Sequence, residues 1–239
     1  PDTILVSIMM VNNEVGSVMP VQQMAKLTKR ICPNAIFHTD AVQGFLKIPF
    51  AAKTLGADLI SISSHKVHGP KGCGALYISP RLKSFPPLLH GGGQEGNFRS
   101  GTEGTPAIFS FAAACEAGAA TLKADIAHEK ELLNSLVEKI SGLEGIVVNG
   151  CHEAPHILSL SIPGVPTQNT INILQDHGIC VSAGSACAKG HRSHVLETMG
   201  LKPEVMDGSF RVSLCRNTTQ EELDTLVDVI RDEILPRAR

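Results

Sequence analysis

The sequence lacks a strong charge of either sign. Its 239 residues carry 21 Lys and Arg against 23 Asp and Glu, for a formal net charge of -2. That balance gives no electrostatic reason to expect a nucleic acid or an anionic membrane as partner. Long apolar runs are missing too. The longest, such as residues 3–11, are too short to span a bilayer. There is no CxxC pair, and the seven cysteines (Cys32, Cys73, Cys115, Cys151, Cys180, Cys187 and Cys215) are odd in number and scattered. Together with a front that shows no secretory pattern, this points away from a disulfide scaffold and towards a reducing cytoplasm. Internal repeats and low-complexity stretches are absent. The initiator Met is missing as well: "PDTILVSIMMV" opens directly on a buried-strand pattern, as expected of a chain cut from a longer protein.

The remaining pattern is that of an α/β protein. Residues 3–11 read as a strand with little polar relief, as in a parallel sheet covered on both faces. Residues 21–30 have helical spacing, and short strands are expected at 35–38, 58–63 and 74–78, with a helical turn at 50–55. This is the rhythm of βαβ units. Beyond it lie a glycine-rich loop to residue 105 and two helices, 106–122 and 124–140. Strands at 157–161 and 179–181 flank a helix at 169–176. A last helix, 219–234, is opened by the capping pattern Thr218-Thr219-Gln220-Glu221-Glu222. Residues 1–122 therefore read as part of an α/β domain and 123–239 as a smaller α+β domain.

Polar residues cluster where predicted strands end, which in open α/β sheets is where ligands bind. The densest cluster is "SSHKVHGPKGCG", residues 63–74. Lys66 follows a strand directly. Such a lysine is either a plain surface residue or an amine able to condense with an aldehyde. Ser63, Ser64 and His65 add donors suited to a phosphate. Asp40 ends the preceding strand, with Gln43 three residues on; alone, Asp40 serves equally as a helix cap. An anchoring lysine, a carboxylate for a pyridinium nitrogen and phosphate donors are what pyridoxal phosphate (PLP) requires. In "SAGSACAKGHRSH", Cys187 sits among small residues as an exposed nucleophile would. Cys187, His191 and His194 can also be read as metal ligands, but no fourth ligand is evident. The other six cysteines read as core thiols. Arg211, flanked by Phe210 and Val212, is costly to bury unpaired and suits either an ion pair or a carboxylate clamp. Arg99, Ser100 and Thr102 lie in a glycine loop that offers N–H groups to phosphate, without Walker-type spacing.

These motifs occur in an order that resembles a known family. Residues 12–16 (NNEVG), 38–43 (HTDAVQ), 63–72 (SSHKVHGPKG), 91–95 (GGGQE) with 99–102 (RSGT), 182–187 (SAGSAC) and 211–214 (RVSL) are similar to those of cysteine desulfurases of the NifS/IscS type, within the class V aminotransferase family. The resemblance implies the type I PLP-dependent transferase fold, here with a partial large-domain sheet. It implies roles residue by residue. Lys66 would anchor PLP covalently. Asp40 would face the pyridine nitrogen and Gln43 the ring oxygen. Asn13 would hold cofactor or substrate near the ring. Ser63, Ser64 and His65 would bind the phosphate, and Thr102 would reach the phosphate of the partner subunit in a homodimer. Arg211 would clamp the carboxylate of L-cysteine, and Cys187 would take its sulfur as a persulfide, releasing alanine for iron–sulfur or thio-cofactor assembly through an acceptor or scaffold protein. His68 has no implied role. The cysteine loop resembles the IscS-like rather than the SufS-like group.

Two departures accompany the resemblance. Family members are longer. What precedes residue 1 in them holds a phosphate-binding Gly/Thr segment, the histidine that stacks on PLP and the first strands of the large sheet. The chain by itself is therefore expected to expose apolar surface and to bind PLP poorly. The stretch after Cys187, "AKGHRSH", is also short, which bears on sulfur transfer to an acceptor. Two other readings stand beside the desulfurase: a selenocysteine lyase or other class V enzyme, and an inactive sulfur-carrier or scaffold-binding module.

Overall fold

A computed structural model describes residues 2–82, 85–183 and 192–238. The chain folds as two compact units. One contains the residues up to Val11 and Met19–Leu122, the other Asn12–Val18 and the residues from Lys123 onward. The sequence suggested a boundary at residue 122 alone. The excursion at Asn12–Val18 has a local cause within the second unit: Ala154 N–H donates to the Gly16 carbonyl at 2.8 Å. Gly16 has φ +70°, and a Cβ there would come within 2.9 Å of the Ile157 carbonyl oxygen, so only glycine admits this approach.

In the first unit, β1 (Leu5–Met9), β2 (Ile36–Asp40) and β3 (Leu59–Ser63) run parallel in that order, and β4 (Gly74–Ile78) closes the far edge antiparallel to β3. Strand alternation sends Phe37, Thr39 and Ile60 to a buried face. The opposite face is open, as expected of this chain by itself: Leu5, Met9 and Leu76 are 52%, 40% and 43% exposed. Helix α1 (Val21–Ile31) turns Val21 and Ala25 inward. Asp58, just before β3, ties this unit together. It accepts from the Phe37 N–H at 2.8 Å and pairs with Lys29 at 2.6 Å and Arg81 at 2.7 Å. Such a buried carboxylate is tolerated because each of its oxygens has a donor. A single-turn helix, α2 (Ala52–Leu55), ends on Gly56 in the left-handed region.

The second unit is built on a three-stranded antiparallel sheet of β5 (Val147–Asn149), β6 (Ile157–Ser161) and β7 (Ser209–Ser213). The central strand β6 is buried at all five positions. Its Ser159 and Ser161 are satisfied by the Asn149 amide at 3.2 and 2.8 Å. Leu158 and Leu160 pack with Leu136, Leu174, Phe210 and Ile230 in the main core. Two helices were expected at 106–122 and 124–140; the structure has one, α3 (Thr105–Ser141), of 37 residues. Nothing in Leu122-Lys123-Ala124 breaks a helix, so it continues. Helix α4 is Thr167–Asp176, and the short α5 and α6 are His194–Thr198 and Pro203–Asp207. The strand expected at 179–181 is absent; instead Ser182 makes an isolated bridge to Arg211. Helix α7 (Gln220–Val229) begins with the predicted capping box: Thr219 Oγ1 accepts from Glu222 N–H at 3.2 Å, and Glu222 Oε2 accepts from Thr219 N–H at 2.9 Å. It runs on into a π-helical turn, Ile230–Ile234. Among the described residues no helix is long and apolar enough to cross a membrane.

Candidate active site

The first unit carries one cluster at the carboxyl ends of two adjacent parallel strands. Asp40 is the last residue of β2 and pairs in register with Ser61, two residues before the end of β3 at Ser63. Both strand ends therefore open on the same edge of the sheet. Asp40 is exposed, and its Oδ1 accepts from the Val42 N–H at 2.9 Å, which begins the turn carrying the half-buried Gln43. Ser63 Oγ and His65 Nδ1 lie 2.7 Å apart. After Ser63 the chain makes a 3-10 turn, Ser64–Val67, that presents His65 exposed and Lys66 half-buried. His68, at φ +65°, ends it, and the chain returns into β4.

Ser64 behaves differently from its neighbours. It is fully buried, with its hydroxyl turned towards Gly69: a Cβ on Gly69 would come within 2.1 Å of Ser64 Oγ. Gly69 is needed for that close approach, which lets the turn fold back so tightly. The structure thus brings Asp40, Ser63, His65 and Lys66 to one rim and places Ser64 beneath it. On the same face of the sheet, His38 bridges Ser7 (2.7 Å to Nδ1) and Ser61 (2.9 Å to Nε2) across three strands. Thr102 is exposed in the loop ahead of α3. That loop is folded on itself, with Gln94 Oε1 accepting from Gly101 N–H at 3.1 Å and Arg99 donating to the Ser100 carbonyl at 3.0 Å.

The second unit holds a more buried set. Arg211 sits in the middle of β7, where its Nη1 donates to the Asn13 carbonyl at 2.7 Å and its Nε donates to Ser213 Oγ at 3.2 Å. Burial pushes the guanidinium pKa down, and the nearby Glu14 charge opposes that shift. The main-chain contact to Asn13 was not foreseen from the sequence. Nor was Glu14, whose Oε2 accepts from Ser193 Oγ at 2.5 Å; its place in NNEVG was the one available signal. Cys187 and His191, and with them most of the alternative metal set, lie outside the described residues, as do residues 184–191 generally. Among the described residues no group of three or more His, Cys, Asp or Glu side chains is arranged to hold a metal ion. The six described cysteines are not the core thiols expected. Cys151 and Cys180 are exposed and the others half-buried. Cys151 follows Gly150, which has φ +77°.

A parallel sheet bearing a lysine, an aspartate and hydroxyl and imidazole donors on one carboxyl rim, in a chain with a second α+β unit, defines a class. The model of the aminotransferase class-V family matches residues 1–226, and the chain belongs to that family. A cysteine desulfurase of Nostoc sp. (strain PCC 7120 / SAG 25.82 / UTEX 2576) is 39% identical over 243 residues, covering 100% of this chain and 60% of its own length. The mitochondrial cysteine desulfurase of Arabidopsis thaliana is 40% identical, covering 96% of this chain and 51% of its own length. Among solved structures, a NifS-like protein superposes with a TM-score of 0.88 at 39% identity, over 98% of this chain and 62% of that one. A cysteine desulfurase from Thermococcus onnurineus NA1, solved in the apo state, gives 0.85 at 27% identity, over 97% and 60%. The chain thus spans about three-fifths of the length of most of these relatives. The fold is that of the NifS-like class V enzymes, and PLP is the usual cofactor of the family. The donor set on the rim fits PLP: a carboxylate for the ring nitrogen, an amine for the aldehyde, and a hydroxyl and an imidazole for the phosphate.

Proposed function

We propose that this chain is the greater part of a PLP-dependent cysteine desulfurase. The protein converts L-cysteine to L-alanine and leaves the sulfur as a persulfide on Cys187, for transfer to an acceptor or scaffold protein in iron–sulfur cluster or thio-cofactor assembly. The observation that carries this reading is the rim of the first unit, where Asp40, Ser63, His65 and Lys66 meet at adjacent strand ends. When bound, PLP supplies an electron sink that labilises bonds at the substrate's α-carbon. Lys66 provides the anchoring amine and then moves protons at that carbon. Asp40 keeps the ring nitrogen protonated, Gln43 meets the ring oxygen, and Ser63 and His65 hold the phosphate with Ser64 beneath them. Asn13 and Arg211 orient the substrate, Arg211 through its carboxylate. The Cys187 thiolate attacks the substrate sulfur. A sulfur–sulfur bond forms, the carbon–sulfur bond breaks, and its electron pair is protonated as alanine is made. One cysteine and one enzyme thiol thus become one alanine and one persulfide, with no external oxidant. The protein works as a homodimer in which Thr102 reaches the partner subunit's phosphate site, in a reducing cytoplasm.

The test is direct. Full-length protein loaded with PLP is given L-cysteine, alanine is quantified, and the protein is digested for mass spectrometry. One alanine per turnover and one extra sulfur atom on Cys187 are expected, with Cys187→Ala binding PLP but releasing neither persulfide nor sulfide. Extra sulfur on the exposed Cys151 or Cys180 instead would defeat the assignment.

A further inference from the structure

Glu14 has no part in the chemistry above, yet it is only 5% exposed. A charged carboxylate that deep is costly unless it is hydrogen-bonded and faces a cation. The second unit supplies the hydrogen bond, and the Arg211 guanidinium lies within electrostatic range of Glu14. Asn12 Oδ1 accepts from the Glu14 and Val15 N–H groups at 2.9 and 3.0 Å, which fixes the turn. Ser193 Oγ accepts from the Val195 and Leu196 N–H groups at 3.2 and 3.3 Å as the cap of α5, so its own proton goes to Glu14 Oε2. Arg211 reaches the same turn through the Asn13 carbonyl, one residue before Glu14. The main chain of Arg211 also exchanges both hydrogen bonds with Ser182, at 2.7 and 3.2 Å. Ser182 and Ser193, which flank residues 184–191 in the sequence, are therefore fastened to Arg211 and to Glu14 respectively.

The geometry points to Glu14 as a positioning residue for Arg211: a buried carboxylate, held by Ser193 in the turn whose Asn13 carbonyl the guanidinium grips, that keeps the guanidinium aimed to receive an α-carboxylate. This rests on Arg211 being the substrate's carboxylate clamp. A carboxylate that steers a cation without touching substrate affects only ligands that use the cation. That separates it from a residue that merely supports the fold.

The experiment compares two ligands on the PLP-loaded, full-length protein by titrating the cofactor's absorbance. L-Alanine carries the carboxylate and no sulfur; L-alaninamide lacks the carboxylate. The unmodified protein should prefer L-alanine. Glu14→Gln keeps the size and an acceptor for Ser193 but removes the charge. It should weaken L-alanine about tenfold while leaving L-alaninamide within about twofold. Ser193→Ala keeps the charge and loosens its hold, so L-alanine should weaken about threefold with the same selectivity. In an Arg211→Gln background, where the cation is gone, Glu14→Gln should have no further selective effect. An equal loss for both ligands, or no loss for either, overturns the role of Glu14. If Glu14→Gln does not fold, Ser193→Ala decides by the same criterion. If the unmodified protein does not distinguish the two ligands, the clamp itself is wrong and the inference falls with it.

Discussion

The polar groups of the two units are held in opposite ways. On the first unit's rim, Asp40, His65 and Lys66 stand at or near the surface, each placed by a backbone turn at the end of a strand. In the second unit Glu14 lies inside and Arg211 is half-buried, both placed by hydrogen bonds between segments 179 and 198 residues apart. The difference teaches that one chain can hold its functional groups with unlike energetics. Solvated side chains on turns contribute little to stability and are available for chemistry. Buried charges are costly if either partner is lost, so their function and the fold of their surroundings are bound together.

The largest effect expected is on the exposed side. Lys66→Ala should abolish turnover and the borohydride-reducible link to PLP, yet shift the denaturation midpoint by less than about 0.5 kcal/mol, as turn substitutions near the surface do. A large loss of stability would erase the contrast between the units. Arg211→Ala should cost both ways: KM for L-cysteine up about a hundredfold and stability down about 2 kcal/mol, because the Asn13 carbonyl loses its charged donor. Steady-state kinetics and urea melts on the same preparations check the pair.

Ser64 and Gly69 sharpen the comparison, since they are the buried part of the exposed rim. Gly69→Ala should destabilise by about 1–3 kcal/mol, because its Cβ meets the Ser64 hydroxyl in a packed turn. Ser64→Ala should cost little and should relieve Gly69→Ala when the two are combined, as double-mutant melts would show. If Ser64→Ala instead weakens PLP binding strongly, the hydroxyl reaches the phosphate after all.

The smallest effect is electrostatic. Arg192 and Asp207 form an exposed pair at 2.7 Å, and the hydrogen bond from Arg192 holds the Asp207 carboxyl below its usual range. A depressed carboxyl contributes its stability above the unfolded-state value and loses it as pH falls through the folded one. The difference between the parent protein and Asp207→Asn should therefore be present at neutral pH, fade below about pH 4 and shrink in salt. Thermal melts across pH 2.5–7 at two ionic strengths measure it. A difference that grows on acidification has the wrong sign.

Much of the rim was legible beforehand because its signals are local. Strand period, a following turn and a dense run of polar residues coincide at 63–74, and all four strands in that unit lie within two residues of expectation. The capping box of α7 is equally local, a matter of side chains three residues apart. The misreadings were of the opposite kind. One helix became two on paper because its middle carries weak amphipathic pattern, although nothing in it stops a helix. The first strand is a different case: its apolar composition marks a strand of the kind normally covered on both faces. Composition says that a surface is fit to be covered; the exposure of apolar surface expected of this chain by itself is what Leu5 and Met9 show.

By itself the sequence determined the kind of elements, their order and the chemistry available at strand ends, because backbone propensity, alternation and turn residues act over a few positions. Only the tertiary structure decided which distant groups meet. It took Asn12–Val18 out of the first unit and set it beside β6. It turned Ser64 inward against Gly69, bridged Ser182 to Arg211, and joined Glu14 to Ser193. No spacing in the chain encodes these pairings. They arise because buried hydrogen-bonding groups and charges must find partners, and the partner each one finds depends on the path the whole chain takes.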